Sequence, residues 1–197
     1  GYDFAPSTET YVAVSGVNST AVGDDGMENG ISIGFPFYFG GTTYDSFSIS
    51  TNGFIRLGNP VNNASWINTL ANDAGQAPLI AAFWDDNNRN GGAIQYQLSG
   101  VSPNRILEIG WNQVNVGNNG QPNNTVSASF KIRLHESGVI DMIYGPQMTW
   151  TGAMTASIGI NDLTSFLSVT PAAGTATVSS ATADNTITTT ANVVGRK

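Results

Sequence analysis

Along residues 33–58, IGFPFYFGGTTYDSFSISTNGFIRLG, apolar positions recur at every second residue. Phe35, Phe37 and Phe39 share one parity, and so do Phe47 and Ile49. An extended strand places such alternate residues on one face. The breaks are Gly40-Gly41 and Thr51-Asn52-Gly53, the latter holding an Asn-Gly pair suited to the positive φ angles of a hairpin turn. Strand-like runs recur at 11–15, 31–38, 44–51, 54–57, 79–84, 93–98, 105–111, 126–135, 139–144, 156–160, 166–169 and 186–190, with turn chemistry such as Gly23-Asp24-Asp25-Gly26, Gly91-Gly92 and Ser137-Gly138 between them. Many short strands at this spacing predict an all-β fold: a two-sheet antiparallel β-sandwich of jelly-roll type, one domain over residues 1–197. At most one short helix is expected, in SWINTLAN at 65–72. The expected core holds Phe35, Phe37, Phe47, Ile49, Phe54, Ile80, Phe83, Ile109, Phe130, Ile132, Ile143 and Ile158. The runs 105–111 and 126–135 read as a long hairpin. Lys131 and Arg133 alternate with Phe130, Ile132 and Leu134, so its second strand is expected to have one wet face.

Composition narrows the function classes. Charged residues make up only 11% of the 197, against about 25% in an average globular domain. A polar but uncharged surface suits secreted and cell-surface β-proteins, so a secreted, extracellular or cell-surface location is expected. The net charge is −7, and no Lys or Arg precedes Arg56. A phosphate-binding surface needs clustered cations, which argues against nucleic acid and against an anionic membrane as partners. No run reaches the apolar length of a membrane span, so no membrane insertion is expected. With no cysteine there is no disulfide, thiolate metal site or cysteine nucleophile. The end at 192–197 carries no turn or cap, which points to a module of a longer protein or assembly.

The runs IGFPFYFGGTTYDSFSISTNGFIRLG, APLIAAFWDD, GAIQYQ, ASFKIRLHESGVIDMIYG and ASIGIND together resemble the NIDO-like β-sandwich modules of nidogen-type extracellular proteins. They are closer still to related modules of large secreted proteins from Bacteroidetes-type bacteria. The specific parts are Ser50 to Gly53, Pro78 to Asp86 and Ser157 to Asn161. The resemblance implies an extracellular sandwich used in adhesion or assembly, with no enzymatic activity of its own.

The strongest candidate site is WDDNNRNGG at 84–92. Asp86, Asn88, Asn90 and Gly91 match the opening of a D-x-[DN]-x-[DN]-G calcium loop, which collects hard oxygen ligands. Asp85, or a carboxylate from elsewhere in the chain, is needed to supply charge, and Gly92 a backbone carbonyl; Gln97 stands where an EF-hand has its bidentate Glu. The competing reading is an Asx-rich turn after a buried strand. Gly23 to Gly26 with Glu28 is a second, weaker acidic loop. Trp66 and Trp150 lie in polar contexts and are candidates for stacking on glycans. His135 is the sole histidine and has no nucleophile motif beside it, and no carboxylate pair is placed for glycoside hydrolysis, so no catalytic residue is assigned.

These readings predict a non-catalytic extracellular structural or adhesive module that meets other protein modules or subunits. Its expected contact is a sheet edge at TITTT, which starts at Thr186 and closes at Thr190, an uncharged run of high β-propensity. The alternatives are a carbohydrate-binding module and, third, a secreted hydrolase.

Overall fold

The computed structural model describes residues 1–72, 74–117, 127–146, 148, 154–171, 176–183, 186–187, 195 and 197. Among these there are no helices. The strands are β1 (Val17–Asn18), β2 (Gly23–Asp24), β3 (Met27–Phe39), β4 (Thr42–Ser50), β5 (Phe54–Leu57), β6 (Leu79–Trp84), β7 (Asn88–Arg89), β8 (Ala93–Ser99), β9 (Ile106–Asn115), β10 (Ser127–His135), β11 (Ile140–Tyr144), β12 (Met154–Thr155), β13 (Ser157–Asn161), β14 (Phe166–Thr170), β15 (Thr177–Ser179) and β16 (Thr186–Ile187). One antiparallel sheet runs β15-β14-β13-β6-β5-β4-β3. The second runs β1-β8-β9-β10-β11, with β7 pairing both β9 and β2. The two sheets form the expected sandwich.

Alternation decides which side chains meet between the sheets. Phe35, Phe37, Phe47, Ile49, Ile55 and Ile80 of the first sheet join Ile94, Ile109, Trp111, Phe130 and Ile132 of the second in one core. All twelve expected core residues are buried, but Phe54 and Ile143 stand apart from this cluster. In β6 the alternation breaks. Ala82 and Phe83 both donate their N–H to the Gly53 carbonyl, at 3.2 and 3.1 Å, a bulge that turns both inward and sends Trp84 outward.

The outer face of the first sheet is not open. Phe54, Leu79, Ala81 and Trp84 form a second apolar cluster with Val61 and Leu70 from the segment 58–77. The helix expected at 65–72 is absent; those residues form turns. Carbonyls of this segment are taken by the sheet instead: Trp84 Nε1 donates to Ser65 O (2.7 Å), Ser157 Oγ to Asn68 O (3.1 Å) and Asn161 Nδ2 to Leu70 O (2.7 Å).

The wet face expected on β10 is also absent. Lys131 is 2% exposed, because residues 7–14 lie across that face. Lys131 Nζ donates to Val12 O (2.8 Å) and pairs with Glu108 (2.7 Å), and its ammonium sits 5.4 Å from the Tyr11 ring centroid. Arg133 binds Glu9 with two nitrogens (2.9 and 3.1 Å) and reaches Glu108 and Asp141. The strand expected at 11–15 does not form: side chains, not a ladder, hold this segment, with Asn112 Nδ2 donating to Val14 O. Farther toward the N-terminus, Tyr2 packs on Phe39 and donates to Asp162 (2.6 Å). Ser7 and Lys197 exchange backbone hydrogen bonds, and Gly195 donates to Tyr144 O, so both terminal segments lie beside the β11 edge.

Candidate metal centre

Three turns converge at one end of the sandwich. The β4–β5 turn is Thr51-Asn52-Gly53, where only Gly53 takes a positive φ (+89°). A side chain there would run into the Phe83 carbonyl, so Gly lets the turn press against β6. The Asn52 carbonyl accepts from Asp85 N (3.2 Å) and Asn87 Nδ2 (3.2 Å). Asn87 also donates to Phe83 O and accepts from Gly117 N, and Trp111 Nε1 donates to Ser50 O. The third piece is the loop after β2: Gly26 and Thr51 are joined by Thr51 N to Gly26 O and by Gly26 N to Thr51 Oγ1, both 2.9 Å.

This knot brings together the two acidic loops that sequence reading kept apart. Asp24, Asp25 and Asp86 each offer a carboxylate oxygen, and these lie within 4.8 Å of one another. Asp24 stands opposite Asn88 in the β2–β7 pair. Asp25 takes φ +50°, a conformation Asp tolerates better than most residues. Burial pushes the Asp24 carboxyl above its usual range, and the charge of Asp25 pushes the same way. Asn52 is fully buried and donates through Nδ2 to Asp25 Oδ1 (2.7 Å) and Ser65 Oγ (3.0 Å), while its Oδ1 has no partner; Asn88 Oδ1 is likewise buried without one. An unsatisfied buried acceptor costs about 1–3 kcal/mol.

The other expected ligands are placed differently. Asp85, 3% exposed, accepts from Asp86 N (2.8 Å) and Thr155 Oγ1 (3.3 Å) and lies outside the group of three. Burial pushes its carboxyl up to about 6, against those hydrogen bonds. Asn90 is exposed in a bend. Gly92, at φ +67°, packs its α-carbon on the Asn112 and Gln113 carbonyls, a backbone role. Glu28 is engaged elsewhere, accepting from Ser19 Oγ (2.6 Å) and Thr20 N (2.9 Å). Sequence reasoning missed Asn52 as a member; its signal was the same Asn-Gly pair that marked the turn.

Of the other candidates, Trp66 is 44% exposed beside the equally exposed Ile67, and Trp150 lies outside the described residues. His135 Nε2 lies 2.8 Å from Asp141, within the charged cover of β10. Two grooves of about 160 and 480 Å³ flank Phe4, and Trp66 lines neither. The smaller contains Asp3 and Asp141, the latter already held by Arg133, His135 and Lys197. Thr186 and Ile187, the described part of TITTT, pair with Thr155 and Met154 in a separate two-stranded sheet.

Chemically the convergence offers hard oxygen donors and a dense set of satisfied joints, the former suited to a cation such as calcium. A model of the family described as NIDO related matches residues 1–196. No curated protein and no solved structure matches the chain.

Proposed function

We propose, because the chain belongs to the NIDO-related family, that it is an extracellular, non-catalytic module with a structural or adhesive role, meeting other proteins through its loops and sheet edges. One observation carries this reading: the residues of the family pattern go into joints, not into a cleft. Ser50, Asn52, Trp84, Ser157 and Asn161 are all buried, and each is hydrogen-bonded to another segment or to its own turn. A catalytic group must reach substrate, and these do not reach solvent. Among the described residues, the described part of TITTT pairs on one side only, and its other side is the one we assign to main-chain pairing with a partner.

The test is binding and turnover side by side. The purified chain should bind immobilised extracellular proteins and give no turnover on polysaccharides, esters or peptides. Turnover abolished by a single carboxylate substitution would overturn the reading. The half-exposed Trp66-Ile67 pair favours a second reading, glycan binding. Signals on a glycan array that vanish in Trp66→Ala would make that the better one.

A further inference from the structure

We propose that the chain binds a divalent cation, calcium by its chemistry, held by Asp24, Asp25 and Asp86 with amide oxygens from Asn52 and Asn88. The site differs from the single-loop motif at 84–92: it spans the loop after β2, the β4–β5 turn and the start of β7. It does not depend on which partner the module meets.

The first support is spacing. Two oxygens bound to one Ca²⁺ at about 2.3–2.6 Å cannot be more than about 5 Å apart. One oxygen from each of Asp24, Asp25 and Asp86 falls inside that limit mutually, at 4.8 Å or less. Three carboxylates this close repel one another unless a positive charge stands between them. Among the described residues no Lys or Arg forms an ion pair with Asp24 or Asp25.

The second support is independent of the charges. Asn52 is fully buried, and its amide reaches into the cluster, with Nδ2 2.7 Å from Asp25 Oδ1. Both Nδ2 hydrogens are engaged, by Asp25 and by Ser65, which fixes the orientation of the amide and leaves Oδ1 with no donor. Asn88 repeats the pattern. Its Oδ1 is buried without a partner, and Asn88 stands directly opposite Asp24, so both side chains project from the same face of the β2–β7 pair. Orphan carbonyl oxygens beside carboxylates need something that accepts electron density, and among the described residues no donor reaches Asn52 Oδ1 or Asn88 Oδ1. A set of carboxylates and amides fits Ca²⁺, which takes six to eight oxygens in flexible geometry. Mg²⁺ prefers few protein ligands and keeps its waters.

The experiment is calcium titration of the chelator-treated chain by calorimetry, with thermal melting in EDTA, in millimolar Ca²⁺ and in millimolar Mg²⁺. Saturable binding and a higher melting midpoint in Ca²⁺ than in EDTA or Mg²⁺ are expected. Asp24→Asn is the informative variant, because Asp24 is exposed and, among the described residues, no side-chain hydrogen bond or ion pair holds it, so folding should survive. It should weaken calcium binding about tenfold or more, while Asp45→Asn, an exposed carboxylate on β4 outside the cluster, should leave affinity unchanged. Identical midpoints in EDTA and Ca²⁺, or equal losses in the two variants, would overturn the proposal.

Discussion

Trp84 and Lys131 occupy comparable places, each on the outward side of a strand inside its sheet, and both are buried. The covers above them differ in kind. Over Trp84 the segment 58–77 brings Val61 and Leu70, and its polar groups are bonded partly to the sheet and partly among themselves, with no ion pair among the described residues: Asn62 and Gln76 bond each other, and Asn62 Nδ2 holds Ala74 O. Over Lys131 the N-terminal segment brings Glu9 and Tyr11 and is held by ion pairs and by the Ser7–Lys197 exchange. An apolar cover draws on area removed from water and is insensitive to salt. A charged cover loses part of its Coulomb term to screening and to titration. One side of the sandwich should therefore behave as permanent core and the other as a fastening that conditions can loosen.

The largest expected effect lies under the apolar cover. Trp84→Ala removes a fully buried ring packed at a tilt against Phe54 and should cost about 3–5 kcal/mol in urea unfolding, with little change between low and high salt. A loss under about 1 kcal/mol would mean that the segment 58–77 can collapse onto the gap, and the contrast between covers would fail. Next is Arg133→Met. It leaves Glu9, Glu108 and Asp141 without their shared guanidinium, and should cost about 2 kcal/mol at low ionic strength because the site is only partly buried. The loss should shrink in molar salt; one that ignores salt would show Arg133 acting through packing alone. Smaller again is removal of residues 185–197. The sandwich should stay folded with a loss of about 1–2 kcal/mol, from backbone bonds and the Lys197 pairs. Hydrogen exchange should accelerate at β11 and residues 7–14 and not at β6. Global unfolding of the truncated chain would make that cover part of the core.

The smallest effect is one of pH. Asp162 accepts from the Tyr2 hydroxyl, Thr164 and Ser165. Burial alone would raise its carboxyl, but these bonds outweigh it and hold the group at about 2. The folded pKa is below the unfolded one, so this stabilisation is present above about pH 4 and is lost as pH falls through about 2. Asp162→Asn should remove it, costing about 1 kcal/mol at neutral pH and almost nothing at pH 2. Proteolysis within residues 1–7 would report the freed Tyr2. A wild-type stability profile flat between pH 4 and 2, and unchanged in the variant, would deny Tyr2–Asp162 a part in the fastening.

Sequence pattern made the strands legible because period-two alternation is a local property. Phe35, Phe37 and Phe39 reveal their face without knowledge of what they meet. The covers were illegible because they depend on distant chain. LIAAFW announces a strand buried on both sides, yet nothing local says that Leu70 lies over it. Lys131 and Arg133 read as solvent-facing because their neutralising groups include Glu9, 124 residues from Arg133. The acidic site was half legible for the same reason. Asp86 and Asn88 are visible in the Asx spacing, but Asp24 joins them only through the β2–β7 pairing. Asn90 and Gly92 follow the same Asx-Gly spacing, but the spacing does not say that Asn90 is exposed in a bend or that Gly92 leads into β8.

The antiparallel exchange between Ser7 and Lys197 has a mechanical consequence. In that arrangement the segment leading into Ser7 and the end at Lys197 lie at the same end of the pair. Tension applied through the two ends would not shear the bonds together. It would first act on Tyr2 at Asp162, then peel the Ser7–Lys197 and Glu9–Gly195 bonds one at a time, as a zipper opens. The sandwich behind them would carry load only after this short length of chain had paid out, so the fastening works as a compliant joint in series with a stiff body.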